Sequence, residues 1–305
     1  MPSTRNPWIG VAVTALAAVL AQAMWTPSYA QTLDRIRSSG MVKFGYEPDA
    51  RPFSFANDQG TPDGYAVALC NQIADNLKKD VPQLKVEWIS VGEARHRAVQ
   101  DGVVDLVCGA EPVTLTRRQE VSFSISIFPS GTGALLSTSA PLALLEVLEF
   151  GEPSIRPVWR GSPARTVLEN KTFSAVAGTT SEQWLSERIN TFHLAATAKS
   201  VDGYQQGIDG VIDGSSAALF GDMPVLMDAS ARSENSGNLV VLKRHFTYEP
   251  LGLELSRGDE DFRLTVDRAL SEMYRSPGFR LFFTTWFGPP DDAIVTFFRQ
   301  TALPE

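Results

Sequence analysis

The sequence predicts an α/β protein of two lobes, each a mainly parallel sheet flanked by helices, joined by a hinge that the chain crosses twice. Three observations predict it. At 305 residues the chain exceeds what one hydrophobic core usually holds, so two units are expected. Short apolar runs alternate with stretches of helical periodicity, the mark of strand–helix–strand units. That alternation runs once from residue 41 and again from about 132, and a last strand after Tyr248 closes back on the first set.

In order, LDRIRSS (33–39) reads as a helix stopped by Gly40, and MVKFGY (41–46) as a strand. Pro48 to Asp63 reads as a long loop carrying aromatics. Tyr65, Leu69, Ile73 and Leu77 recur every four residues, which makes one face of a helix. LKVEWISV (84–91) is a strand, EARHRAVQDG a short helix and VDLVCGA (104–110) a buried strand. TGALLSTS (132–139) opens the second unit, and 140–170, rich in Pro and Gly, reads as an irregular extended segment. TFSAVAG (172–178) feeds a helix at Thr179-Thr180-Ser181-Glu182. A Gly-rich helix (203–214), the strand SAALFGD, a helix from Met223 and the strand NLVVLKR (238–244) follow. LGLELS, a helix with Phe262, Val266, Leu270 and Met273 on one face, the helix FRLFFTTWF and a Pro-rich end complete the chain. The layout is lobe 1 at 31–131 and 249–305 and lobe 2 at 132–248. Ligands of such sheets sit at the carboxyl ends of the strands.

Composition narrows the function classes. The formal net charge is −8 and no Lys/Arg cluster is long enough to track phosphates, so nucleic acid is excluded as a partner. His96, His193 and His245 are scattered and only two cysteines exist, so no metal and no cofactor is expected. Residues 1–30 carry Arg5, an apolar run from Trp8 to Ala21, and Ser28-Tyr29-Ala30. This is the pattern of a secretory signal peptide cleaved after Ala30, giving a periplasmic protein. Cleavage after Ala21-Gln22-Ala23 and a retained membrane anchor are the alternatives. In an oxidising compartment Cys70 and Cys108 read as a disulfide, worth about 4 kcal/mol in the chain-entropy model; two buried free thiols are the alternative.

Several segments together resemble the extracytoplasmic solute-binding proteins of family 3, which serve polar amino-acid ABC importers. They are LDRIRSSGMVKFGYEPDARPFSF, GYAVALCNQIADNL, GVVDLVCGAEPVTLTRRQEVSFS, SAVAGTTSEQWL, FGDMPVLM, YEPLGLELSRGDEDFR and TTWFGPP. GYxxxLC and VDLVCG look most like the glutamate/aspartate branch. The resemblance implies a type-II periplasmic binding fold and a monomer. It also implies an amino acid bound between the lobes by hinge closure, and docking on an ABC permease in the inner membrane. By the same resemblance, Arg117 in T-x-x-R grips an α-carboxylate with Thr114 beside it, and Asp222 takes the ammonium.

The residues themselves allow both functional and plain roles. Arg117 offers a planar two-donor fork. Gly178-Thr179-Thr180-Ser181 at a strand-to-helix junction is either an anion site or an ordinary helix cap. Asp222 before Met-Pro also reads as a helix cap. Phe53 and Phe55 read as a ligand wall or a satellite core. Pro112 stands where the family often has Ser or Thr, leaving a carbonyl but no hydroxyl. Glu47 stands where acidic-amino-acid binders carry Arg; an acid there favours a neutral or cationic ligand, unless Arg51 or Arg95 reaches the same pocket. The alternatives are an enzyme resembling cyclohexadienyl dehydratases, using Glu47 or Glu111 as an acid, and a ligand-dependent partner or sensor protein.

Overall fold

The computed structural model describes residues 31–151 and 163–305. The expected leader 1–30, and Trp159 with its neighbours 152–162, lie outside the described residues. The helix Gln31–Ser39 ends at Gly40 and leads into β1 (Met41–Tyr46). Next come β2 (Asp49–Ala50), β3 (Ser54–Ala56) and β4 (Pro62–Asp63), which pair into a small antiparallel sheet inside the stretch expected to be loop. Helix Tyr65–Leu77, β5 (Lys85–Ser90), helix Arg95–Gln100, β6 (Leu106–Pro112), β7 (Ser122–Phe123) and β8 (Phe128–Ser130) follow. Then come β9 (Thr132–Ser137), β10 (Thr172–Val176), β11 (Thr197–Val201), β12 (Ala218–Asp222) and β13 (Leu239–Val241), and lastly β14 (Glu249–Leu255).

These strands make two larger sheets. The first has the order β5-β1-β6-β14-β7, with β8 also paired to β14; the second has the order β11-β10-β12-β9-β13. Each is mixed. β5, β1 and β6 run parallel, as do β11, β10 and β12, but β14 and β9 are antiparallel to their neighbours. The physical reason is connectivity: β9 and β14 carry the chain from one sheet to the other and therefore enter against the direction of the helix-linked strands. The two crossings lie side by side. Phe246 N donates to Thr132 O at 2.8 Å, and a side chain at Gly131 would collide with the Thr247 carbonyl.

The core of the first sheet is built on the helix Tyr65–Leu77, whose periodic face Tyr65, Leu69, Ile73 and Leu77 is buried as the spacing predicts. Cys70 on that helix is bonded to Cys108 on β6, which ties helix to sheet. Tyr65, Phe53, Phe128, Phe283 and Phe287 pack around one another edge to face or tilted, except that Phe128 and Phe283 lie parallel, with Tyr65 Oη donating to Ile127 O at 2.9 Å. The second sheet is covered by Thr180–Thr191 and Tyr204–Ile212.

Two expectations are corrected. Residues 140–170 are not irregular throughout: Leu142–Phe150 and Pro163–Leu168 are helices. The Pro-rich end holds a further helix, Asp292–Thr301, whose cap Asp291 accepts from Ile294 N at 2.8 Å.

Candidate functional site

The carboxyl ends of β1 and β6 bring three acids and two guanidiniums together. Glu47 follows β1, its backbone N–H donating to Ser54 Oγ at 2.9 Å. Its side chain lies against the bare backbone of β6 at Gly109, where a Cβ would strike Glu47 Oε1. Glu111, only 4% exposed, points from β6 between two arginines. Arg95 at the start of its helix reaches Glu111 Oε1 with Nε at 2.5 Å and Glu47 Oε2 at 3.6 Å. Arg117 reaches Glu111 Oε2 with Nη1 at 3.0 Å, and the same nitrogen donates to Pro112 O at 3.1 Å. Thr114 Oγ1 accepts from Arg117 N at 3.1 Å, so it closes the turn that presents Arg117. Beneath them Glu254 on β14, fully buried, receives His96 Nδ1 at 2.8 Å.

The second sheet contributes another acid. Asp222 ends β12; Ser130 Oγ donates to its Oδ2 at 2.5 Å, the Val225 backbone N–H also faces the carboxyl group, and Oδ1 is buried with no well-formed hydrogen bond among the described residues. Thr180 Oγ1 donates to Glu249 Oε2 at 2.5 Å, and Thr247 Oγ1 donates to Glu249 Oε1 at 2.6 Å. Thr180 thus links the second sheet to the first residue of β14.

Burial sets the protonation of this group. Glu47 is pushed up to about 8, first by desolvation and then by the Glu111 charge, with Arg95 opposing. Asp222 is pushed up to about 7 by desolvation, with Glu249 and Glu111 adding to it and the Ser130 hydroxyl and the Val225 backbone N–H opposing. Glu254 is raised by the same burial against its bond from His96. Tyr204 is raised by burial and by Asp222, and also feels Glu47.

The sequence-predicted residues divide. Glu47, Arg117, Thr114 and Pro112 are brought together, and Asp222 and Thr180 lie on the facing unit within electrostatic or hydrogen-bonded reach of the β6 and β14 acids. Thr179 acts as the helix cap, accepting from Glu182 N at 3.2 Å while Glu182 Oε2 accepts from Gly178 N at 2.7 Å. The junction's donors are thus partly satisfied by its own first turn. Phe53 is spent on the aromatic core at 2% exposure. Phe55 packs on Trp286, with the Arg51 guanidinium 3.5 Å over its ring. Arg51 is therefore occupied there, whereas Arg95 does reach Glu47.

Sequence reasoning missed Glu254 as part of this group, although an acid inside the apolar run LGLEL is a signal that something must pair with it. His96, Glu111 and Glu254 have ligand atoms within 4.8 Å of one another, but both Glu111 oxygens already face guanidinium nitrogens. A separate apolar cavity of about 760 Å³, lined by Leu148, Phe173, Trp184 and Phe246 among others, contains none of these groups.

Residues 42–289 match the family described as Bacterial extracellular solute-binding proteins, family 3. A curated relative, the L-glutamate/L-aspartate-binding protein of Pseudomonas aeruginosa, is 25% identical over 279 residues, covering 90% of this chain and 86% of its own. Among solved structures, an ancestral amino-acid-binding protein, AncCDT-1, described as a precursor of cyclohexadienyl dehydratase, superposes with a TM-score of 0.65 at 24% identity. It covers 84% of this chain and 99% of that one. A binding component of an ABC transporter from Wolinella succinogenes, complexed with lysine, gives a TM-score of 0.66 at 19% identity, with coverage of 84% and 99%.

Proposed function

The chain belongs to family 3 of the bacterial extracellular solute-binding proteins, and from that premise we propose that it is the substrate-binding component of an ABC importer. In this reading residues 31–131 with 249–305 form one lobe and 132–248 the other. A polar amino acid or a related small molecule is held between them as they close about the paired crossings at Gly131 and His245–Tyr248. The single observation that carries this is the convergence of polar side chains from both sheets on the space between them. Glu47, Glu111 and Arg117 come from one side, and Asp222 and Thr180 from the other. The buried Oδ1 of Asp222, with no well-formed hydrogen bond among the described residues, suits an ammonium group. Arg95 does reach Glu47, at 3.6 Å, but its Nε lies nearer Glu111 at 2.5 Å, so Glu47 can give up its proton to a cationic group and offers nothing to a second ligand carboxylate. The protein acts in the periplasm as a monomer after removal of residues 1–30, and its closed form docks on the permease.

The test is a thermal-shift panel on the mature protein, unfolded and refolded to strip carried-over ligand, against the twenty amino acids, ornithine and small dicarboxylates. A ligand at one hundred times its Kd adds about 2.7 kcal/mol of stability. A shift that Asp222→Asn abolishes supports the reading, and silence across the panel refutes it. A second reading, an enzyme on this scaffold, draws on Glu47: an acid held protonated near neutral pH is suited to proton donation. Turnover of a prephenate-like substrate, lost in Glu47→Gln, would establish it.

A further inference from the structure

Four carboxyl groups and two guanidiniums share the space between the sheets: Glu47, Glu111, Asp222 and Glu249 with Arg95 and Arg117. Burial keeps protons on Glu47 and Asp222, which a cation brought beside them would displace. Nearest to both arginines is Glu111. Arg95 meets it with Nε at 2.5 Å and with Nη2 at 3.4 Å, and turns Nη1 to the Gly92 carbonyl at 3.3 Å. Arg117 meets it with Nη1 at 3.0 Å and shares that nitrogen with the Pro112 carbonyl at 3.1 Å. One buried carboxylate of the chain thus faces two guanidiniums, meeting Arg95 through two nitrogens and Arg117 through one. A second carboxylate brought to Arg117 would lie beside Glu111, where like charges in a desolvated space repel. An amine has the opposite experience: Glu47 has its nearest cation at 3.6 Å, and Asp222 Oδ1 is buried with no well-formed hydrogen bond and no ion pair among the described residues.

We propose that Glu111 substitutes internally for a ligand carboxylate on Arg95 and Arg117, so that the site takes organic cations by their amino or guanidino groups and needs no carboxylate on them. The proposal rests on the ligand-binding reading and specifies its chemical class. It makes Glu111 a specificity-determining residue: its negative charge closes the anion seat and leaves the cation seats at Glu47 and Asp222 open. The sequence feature behind it is local. Pro112, where the family often has Ser or Thr, offers a carboxylate neither a hydroxyl nor a backbone N–H, and Glu111 beside it adds a carboxylate of its own.

The experiment compares matched pairs that differ only by a carboxylate: lysine with cadaverine, ornithine with putrescine, and arginine with agmatine. Kd is measured calorimetrically on the refolded mature wild type and on Glu111→Gln. In the wild type at least one amine is expected to bind within tenfold of its parent amino acid. In Glu111→Gln the same pair is expected to separate by a further tenfold or more in favour of the amino acid, because the guanidiniums are released. If every amine is weaker than its parent by tenfold or more in the wild type, the proposal is overturned while the ligand-binding reading stands. Binding restricted to neutral or acidic amino acids has the same consequence. Silence of the wild type to amines and to all amino acids removes both. The wild-type comparison decides the matter even where Glu111→Gln does not fold.

Discussion

Glu47 and Asp222 make the molecule's stability depend on pH in a direction opposite to that of a salt-bridged carboxylate. Each has a folded value above its unfolded one, about 8 against 4.5 for Glu47 and about 7 against 3.8 for Asp222. Between those limits the folded chain holds more protons than the unfolded chain, so their contribution is greatest at low pH and is lost as pH rises. Urea melts at pH 5, 6.5 and 8 are expected to give falling stability through this window, with a shallower fall in Glu47→Gln. The seat of Glu47 can be tested separately. Gly109→Ala places a methyl against Glu47 Oε1, which must swing aside from Gly109, and is expected to cost about 1 kcal/mol by chemical denaturation. At this scale the site was legible where a residue type was out of place for its neighbours: Glu47, Arg117 and Asp222 stand at strand ends or in turns. Glu254 was not, because alternation marks a buried strand without saying which of its members must be paired. The partnering of Arg95 with Glu111 depends on the direction of a long side chain, which spacing does not encode.

Among the elements, the strand-to-helix junction at Thr179–Glu182 divides its two threonines. Thr179→Ala removes the cap and is expected to cost about 1 kcal/mol in a thermal melt while leaving ligand affinity within twofold. Thr180→Ala, which cuts the bond to Glu249, is expected to reduce affinity with a smaller effect on stability. The T-x-x-E pattern of that cap was visible in the sequence, as was the single-faced helix Tyr65–Leu77. Helix Leu142–Phe150 was not. LALLEVLEF is apolar nearly all round, so it has no polar face to set a period, and its bounds come from Pro141 and from Gly151 at φ 69°. The strands β2 and β4 are two residues long, too short to carry an alternation at all. Pro289 and Pro290 read as the end of structure, yet they precede the cap of Asp292–Thr301, where a proline costs the helix nothing.

For the whole molecule, closure about two crossings predicts a compaction. A saturating ligand is expected to lower the radius of gyration in X-ray scattering, and an unchanged profile would contradict hinge closure. The bond between Cys70 and Cys108 spans a helix and the central strands of the first sheet. Cys70→Ala with Cys108→Ala is expected to lower stability by about 2–5 kcal/mol, read from urea titration. The two-unit architecture was legible from the alternation of strands and helices, but the mixed direction of the sheets was not, since periodicity does not distinguish a strand running forward from one running back.

The neighbouring crossings have a further meaning for how such a chain can be cut and rejoined. Ser130 at the end of β8 is the direct partner of Glu249 at the start of β14. Topologically, residues 131–248 are an excursion from the tip of one antiparallel hairpin. A two-residue turn in their place would leave every strand of the first sheet present and in register, and the excised segment would have its own ends side by side. The second unit is thus a removable guest in a continuous host, and its boundaries could be moved, permuted or exchanged without rethreading the sheet that receives it.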